Sequence, residues 1–420
     1  MTIAIIGSGI TGLGAAWLLN HHNIDFTLFE ADSRLGGHAN TVSGDNHADV
    51  DTGFIVFNEW TYPNMLALFQ RENVPFIKSN MGFGISANQG ALEYSSDGLF
   101  AQKSNLFKPS FHKMILDLVR FYKQVPKDYP SMNDDQTLEQ YLIDNKYNRY
   151  FIDNHLIPMG AAIWSMSAND MMGFPMKSFA RFCINHGLLK LKNRPQWFTV
   201  DGGSKTYVQM LSDQFKDKIR LNTPVTSIKR TNNGVEVNRE IFDKVIICTH
   251  SDQALTLLND PTDSENKILG AIPYSTNTAI LHRDISQMPR RKKAWAAWNY
   301  LASKNNQVTL TYWMNKLQDF LPKNDDLFVT LNPVTTINPD KIIKTQTYHH
   351  PIYSLEAIKA QSQINIIQGQ QNTYFAGAWC GYGFHEDGLS AGLAVAEMAA
   401  NIKRPWNIEE KSSSYKNIVG

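Results

Sequence analysis

The sequence predicts an α/β chain in which a parallel sheet, assembled from segments far apart in sequence, is interleaved with an α+β region. Three observations predict it. A short apolar strand, Ala4-Ile5-Ile6, runs through a glycine-rich turn into a stretch of small and apolar residues, 13–19, that reads as a helix. A second arrangement of this kind closes the chain: residues 372–379 read as a strand reaching Gly377, and residues 388–400 as a small-residue helix. Between them, Phe111, Met114, Ile115, Leu118, Val119 and Tyr122 recur at helical spacing, and residues 307–313 and 327–331 read as strands.

Along the chain, Gly7-Ser8-Gly9-Ile10-Thr11-Gly12 separates the first strand from the first helix. The first glycine serves a tight turn, the second lets backbone approach a pyrophosphate, and the third lets helix and strand pack closely. The diphosphate then rests on the N–H groups of the helix N-terminus. Residues 26–30 form the next expected strand, ending in Glu30, eighteen residues after Gly12. A carboxylate there accepts hydrogen bonds from an adenosine ribose. This is a Rossmann-type dinucleotide pattern, and alone it does not separate a nicotinamide from a flavin dinucleotide.

The next residues do. Glu30-Ala31-Asp32-Ser33-Arg34-Leu35-Gly36-Gly37-His38 resembles the flavin-containing amine oxidase and phytoene desaturase superfamily, in which an acid, a basic residue four positions on and paired glycines continue the site. The resemblance implies FAD. A second glycine turn brings more backbone to the extended cofactor, and Arg34 offers fixed positive charge near the diphosphate. The family commonly has arginine where His38 stands, and a histidine is largely neutral near pH 7. Further motifs follow in the family's order: Val200-Asp201-Gly202-Gly203-Ser204 before a helix at about 205–215, a strand over 221–228, and a buried strand over 243–249. In relatives the valine corresponding to Val225 meets the adenine through its main chain. The family closes its FAD site with a strand ending at Gly377 and a helix opening at Gly388-Leu389. That helix N-terminus carries roughly half a positive charge toward the flavin. Many relatives have an acid where this chain has Ala378. The implied cofactor residues are Gly7, Gly9, Ile10, Thr11, Gly12, Glu30, Ala31, Arg34, Gly36, Gly37, His38, Gly53, Val225, Gly377, Gly388 and Leu389.

This order implies an FAD-binding domain made of residues 1–79, 196–264 and 366–404, and a substrate domain made of 80–195 and 265–365. Residues 405–420 read as a polar, frayed tail. Substrate is expected at the domain junction, over the flavin. There, Trp379, Tyr382 and Phe384 are expected to wall an apolar pocket, and His385 to donate a hydrogen bond or exchange a proton. His385, Trp379 and Tyr382 are therefore the candidate catalytic residues. Glu386 or Asp387 reads equally as a cap of the last helix, and Cys380 as a small inert hydrophobe. Residues 157–166 line a pocket or fill a core. Arg290-Arg291-Lys292-Lys293 with Trp295, Trp298 and Tyr300 is an interfacial patch or a solvated face. The helix over 111–122, with Lys108, Lys113, Arg120 and Lys123 against Asp117, faces lipid or packs on the core.

Composition sets limits. At 420 residues, 43% hydrophobic and 19% charged, the chain can bury a large core in two domains. Lys+Arg of 40 against Asp+Glu of 39 leaves no bulk charge to attract nucleic acid. Cys183, Cys248 and Cys380 form no CxxC pair, which fits a reducing compartment. No metal is expected. With the first strand starting near residue 3 there is no room for a signal peptide, and no apolar run of about eighteen residues could span a bilayer. The expected location is cytoplasmic, with weak peripheral contact to the inner membrane face.

Within the superfamily, Asp51-Thr52-Gly53-Phe54, Pro158-Met159-Gly160-Ala161, Arg194-Pro195-Gln196-Trp197 and Gly383-Phe384-His385-Glu386-Asp387-Gly388 resemble a bacterial branch of amine-oxidase-like proteins. That branch is often described only as NAD(P)/FAD-dependent oxidoreductases. Its genes tend to accompany cyclopropane-fatty-acid-synthase-type methyltransferases, which points to acyl chains or membrane lipid. The leading expectation is an FAD-dependent oxidoreductase taking hydride from an apolar, fatty-acyl or lipid substrate. Three alternatives stand beside it: an amine oxidase on a small amine or polyamine, a redox-neutral isomerase of unsaturated acyl chains, and a non-enzymatic flavoprotein. The sequence names no electron acceptor.

Overall fold

Strands that are apolar on both faces need cover on both sides, and the three apolar segments read from the sequence meet in one sheet. The computed structural model describes residues 1–44, 48–164, 168–302, 308–409 and 413–420. Its first sheet is parallel and runs Ile219–Arg220, Asp25–Phe29, Thr2–Ile6, Lys244–Ile247, Thr373–Phe375. Ile5 lies opposite Leu28 on one side and Ile246 on the other, and all three are fully buried. The helices Ile10–His21 and His385–Ala400 pack together on this sheet at very short range. A Cβ on Gly14 would lie 2.6 Å from Leu389 Cδ1, and one on Gly392 only 2.1 Å from the Thr11 carbonyl oxygen.

The second domain has a seven-stranded mixed sheet in the order Ile342–Pro351, Tyr274–His282, Phe328–Leu331, Val308–Trp313, Trp298–Ala302, Phe83–Ala87, Leu92–Ser95. The helices Pro109–Asp128, Ile157–Trp164 and Met176–Asn185 close over it around a core that includes Phe111, Phe121, Phe151 and Phe179. The chain enters and leaves this helical part through neighbouring strands. Phe76–Ser79 pairs antiparallel with Trp197–Val200 in a small sheet that also holds Phe57–Asn58.

The Rossmann-type domain interleaved with an α+β domain is thus as the sequence predicts, with three differences of detail. The second insertion is shorter than 265–365, because the helices Asp263–Leu269 and Leu355–Gln361 bury Ile268, Leu269 and Ala357 in the first core. Residues 221–227 form no strand: Asn222 is left-handed (φ 50) and Pro224 lacks a donor, so strand begins only at Ile228. The tail is docked, not frayed. Ser413–Val419 is a helix whose Ser414 and Ile418, four residues apart, are buried on one face. Trp406 rests on Trp17 (5.4 Å between ring centres), and its indole donates to Asn64 Oδ1 at 3.1 Å. No helix among the described residues is long and apolar enough to cross a membrane.

Candidate active site

One cavity of about 1230 Å³ runs from the parallel-sheet domain into the second domain. It exceeds the roughly 300–1,000 Å³ of an ordinary small-molecule pocket, leaving room for a dinucleotide and a second ligand. Gly7, Gly9, Ile10, Thr11, Glu30, Ala31, Gly36, Gly37, His38, Gly53, Val225 and Gly377 line its first half. Gly7 needs its glycine because φ is +96, and Gly53 because a Cβ would sit 2.1 Å from the His38 carbonyl oxygen. Gly9 differs. Its φ of −63 suits any residue, yet a Cβ there would point into open space with nothing within 4 Å. That is the signature of backbone kept bare for a ligand to approach.

Glu30 already holds the turn. Its Oε2 accepts from the Ser8 N–H at 2.9 Å and the Ser8 hydroxyl at 2.5 Å, and its Oε1 accepts from the Asp32 N–H at 2.8 Å. A carboxylate has about four acceptor sites, so Oε1 keeps one lone pair for a ribose hydroxyl. These features fit an FAD. Four of the expected cofactor residues stand back from the cavity. Arg34 donates to the carbonyls of Leu35, Gly37 and Ala39 and braces the Gly36-Gly37 turn from behind. A Cβ on Gly12 would strike the Gly7 carbonyl oxygen and one on Gly388 would press on Ile10 and Thr11, while Leu389 covers Gly14. These three set the distance between the two helices and the turn.

His38 faces the cavity among His250 and His350, with ring centres 6.1 and 5.6 Å away. Burial, reinforced by His350 and His250, pushes its pKa down to about 3, so it is an uncharged group at neutral pH. Trp379, Tyr382 and His385 also line the cavity. Trp379 is pinned by its indole N–H donating to the Thr249 carbonyl at 3.0 Å. His385 stacks on Phe54 (3.7 Å between centres, 9° between planes), and its Nε2 shares a 2.9 Å hydrogen bond with the Tyr207 hydroxyl. Burial first, then His38, holds His385 well below the usual histidine range. Only its Nδ1 is left for a further hydrogen bond.

The two acids after His385 hold chain ends. Asp387 Oδ2 accepts from the Tyr382 and Phe384 N–H groups, fixing the loop ahead of the helix. Glu386 instead caps a different helix, Pro63–Arg71, accepting from the Asn64 and Met65 N–H groups at 2.8 and 3.0 Å. Cys380 is buried behind the cavity, where burial pushes its thiol pKa up, as an inert residue requires.

The half of the cavity in the second domain is walled by Trp164, Phe182, Tyr312, Tyr382 and Phe384, and then by Ile115, Leu118, Val119, Leu188 and Leu191. Residues 157–164 thus supply wall and core together; Ser165 and Met166 lie outside the described residues. Among the described residues the carboxylates lining the cavity are Glu30 and Asp252, both in the parallel-sheet domain. Five buried polar atoms without a partner among the described residues line this same cavity: Ser95 Oγ, His155 Nε2, Trp164 Nε1, Trp298 Nε1 and the Tyr353 hydroxyl. Unpartnered buried polar atoms are rare in native proteins, and their convergence marks a place for ligand or water.

His155 sits on a π-helical turn, Ile152–Leu156. Such turns recur at functional sites. Tyr94 donates its hydroxyl hydrogen to the Asn154 carbonyl at 2.8 Å, so at 3.0 Å from His155 Nδ1 it acts as acceptor, and Nδ1 carries the ring hydrogen. Nε2 therefore presents a lone pair. Burial and then Arg194 lower the His155 pKa to about 4, keeping it so at neutral pH. Sequence reasoning missed His155 and Tyr94. All four residues of the Arg290–Lys293 run are exposed, as either sequence reading requires. Arg291 also pairs with the fully buried Glu93 at 2.8 Å, the Trp295 indole donates to the Pro289 carbonyl, and Trp298 turns toward the cavity.

A bare-backbone dinucleotide cradle that opens directly into an aromatic chamber of a second domain defines a two-domain flavoprotein. The chain belongs to the flavin containing amine oxidoreductase family, whose pattern matches residues 10–282, and its cofactor is FAD. It is 25% identical over 319 residues to L-amino acid oxidase Bs29 of Bothriechis schlegelii, covering 66% of this chain and 59% of that protein. It is 22% identical over 261 residues to amine oxidase [flavin-containing] A of Canis lupus familiaris, covering 57% and 47%. The matched stretch thus spans less than two thirds of either relative. In structure it is similar to cyclohexylamine oxidase from Brevibacterium oxydans IH-35A (TM-score 0.70, 14% identity, 95% of this chain and 98% of that one). It is similar also to a CLA-producing fatty acid isomerase from P. acnes (TM-score 0.67, 15% identity, 95% and 98%). At such identities these structures establish the fold alone.

Proposed function

We propose that the protein is an FAD-dependent oxidoreductase that removes hydride from the carbon beside an uncharged amine carried on an apolar body. The observation that carries this is the absence of any lining carboxylate from the second-domain half of the cavity among the described residues. A buried ammonium needs a paired anion, whereas a neutral amine needs only hydrogen bonds. His155 Nε2 accepts one from an N–H, and Ser95 and Tyr353 offer hydroxyls. Membership of an amine oxidoreductase family supports the amine; a polyamine, charged at both ends near neutral pH, finds no counter-ion here. When bound, FAD supplies the hydride acceptor. The chain's own part is to hold the substrate between Trp379, Tyr382 and Phe384, exclude water, and keep His385 and His38 uncharged nearby.

The fatty-acyl reading is second, supported by the corridor of Ile115, Leu118, Val119, Leu188 and Leu191 that leads away from the aromatic chamber. Either substrate partitions into lipid, so weak contact with a membrane surface belongs to this proposal. So does a cytoplasmic setting, supported by three buried, unpaired cysteines. Anaerobic mixing of the holoprotein with apolar monoamines, a polyamine, saturated and unsaturated fatty acids, followed by mass spectrometry, is the test. Bleaching of the flavin by apolar monoamines, with imine or carbonyl products, is expected. Bleaching by fatty acids alone transfers the function to the second reading. A shifted double bond without net bleaching makes the protein an isomerase, and no reduction by any of them refutes both readings.

A further inference from the structure

We infer that the mouth of the apolar corridor is a docking face for an anionic lipid bilayer. The corridor reaches solvent where Leu99 and Leu191, both lining it, are 37% and 61% exposed. Around this mouth, side chains that ought to be buried stand in water. Phe107 is 84% exposed and Leu116 71%, with Phe100 and Leu106 also exposed. They form one patch. Phe100 packs on Phe111 and His112 with ring centres 5.9 and 6.5 Å away. His112 Nε2 meets the Leu106 carbonyl at 2.8 Å, Phe107 follows Leu106, and Leu116 lies one helical turn beyond His112. Contiguous exposed apolar surface of this kind marks an interaction site.

Charge says what it meets. No Asp or Glu occurs between Asp97 and Asp117 or between Asp170 and Asp201, the two segments that supply the rim. Together they carry Lys103, Lys108, Lys113, Lys177, Arg181, Lys190, Lys192 and Arg194, of which Arg194 lines the cavity. Lys177 pairs with Asp134, Lys108 donates to the Ala91 carbonyl and Lys190 lies over the Trp60 ring; apart from Lys177 none is in an ion pair among the described residues. Asp117, at the edge of the patch, is held by Arg120 at 3.0 Å and by the Asn148 N–H. Glu59, near Arg194, accepts from the Gln196 N–H. Apolar side chains among an excess of cations, with the bordering acids Asp97 and Asp117 each paired to a cation of their own, Lys316 and Arg120, match an anionic headgroup layer over acyl chains. An apolar substrate dissolved in the bilayer then enters the corridor without crossing water. The inference does not depend on which substrate reading holds, since binding to lipid requires no turnover.

The experiment is co-sedimentation of the holoprotein with vesicles of phosphatidylcholine alone or mixed with phosphatidylglycerol, at low and high salt. The mixed vesicles are expected to bind the protein, the neutral ones far less, and salt to release it. Phe107→Ser with Leu116→Ser, both solvent-facing and so compatible with folding, should lower partitioning roughly tenfold or more. Ile241→Ser, an exposed apolar residue of the strand Glu240–Phe242, should leave it unchanged. Retained yellow colour and circular dichroism certify each variant. Binding to neither vesicle, equal binding to both, or wild-type partitioning of the double variant overturns the inference. So does a solution dimer that the double variant converts to monomer, which would assign the face to a second copy of this chain.

Discussion

Gly9→Ala and Gly392→Ala are chemically the same change, and the structure gives them opposite consequences. At Gly9 the new methyl meets nothing within 4 Å and the backbone angles suit alanine, so the cofactor-free protein should keep its stability to within about 0.5 kcal/mol. The methyl stands where the diphosphate must approach. An intruding methylene in a close-packed contact costs about 1–3 kcal/mol, which is roughly five- to 150-fold in Kd for FAD. At Gly392 the methyl would lie 2.1 Å from the Thr11 carbonyl oxygen and 2.9 Å from its carbon, both backbone atoms that have no rotamer to escape into. The two helices must then separate, and the same range of about 1–3 kcal/mol appears as lost folding stability, before any cofactor is added. Thermal melts of the flavin-stripped proteins, followed by titration with FAD monitored by flavin fluorescence, separate the two effects. A Gly9→Ala protein that binds FAD with wild-type affinity would refute the cradle assignment. A Gly392→Ala protein that melts with the wild type would refute the packing argument.

Four further outcomes follow from the geometry. Glu30→Ala loses both the Ser8 anchor and the remaining lone pair, each charge-assisted bond being worth about 1.5–3 kcal/mol, so FAD retention on gel filtration should fall tenfold or more. His385→Ala and His385→Asn should keep FAD; slowing on the order of 10²–10⁴-fold in anaerobic flavin reduction by Ala but not Asn makes His385 a hydrogen-bonding group, slowing by both a proton carrier, and by neither a wall residue. Glu386→Gln should weaken the cap on Pro63–Arg71 by about 0.5–2 kcal/mol in urea unfolding, without changing the flavin spectrum. Stability should fall in acid: His38 is held near 3 and His155, His186 and His350 near 4, all depressed by burial. Below about pH 6.5 the unfolded chain takes up protons that the folded one refuses, so stability present at neutral pH is lost as pH falls toward 4 at about 1.4 kcal/mol per unit for each group. His186→Phe should make that slope shallower by one group's share in denaturant titrations from pH 7 to 4.

What the sequence made legible was local. Strand, glycine turn and helix succeed one another within a dozen residues, and Glu30 follows at a spacing fixed by one crossover, so pattern alone locates the cradle. The direction of a side chain was not legible. Arg34 has the right charge at the right spacing, yet three carbonyls behind the turn satisfy its guanidinium. Partners distant in sequence were also invisible. Glu386 finds the helix at Asn64, 322 residues away, and Tyr94 meets His155 across 61 residues of unrelated chain. The helix Ser413–Val419 escaped notice because two buried positions in a polar run make a weak period, and packing on the preceding helix supplies what propensity does not. The corridor followed the same rule: the lysines of the long helix were readable, but not that Leu191 and Arg194 line one cavity with that helix's Ile115, Leu118 and Val119.

The order of strands in the parallel sheet has a bearing on how the protein is made. The strand at Thr2–Ile6 is the middle of the sheet, and its neighbour Lys244–Ile247 is flanked in turn by Thr373–Phe375. During synthesis at about 5–20 residues per second, the first strand leaves the ribosome roughly 20–80 s before the last one exists. Throughout that interval the glycine turn has no closing helix to lie against, and the part of Ile10–His21 that packs on His385–Ala400 is uncovered, although Lys205–Ser212 reaches the helix earlier. The cradle is therefore completed last: a chain that has not reached residue 385 lacks the helix against which the glycine turn closes.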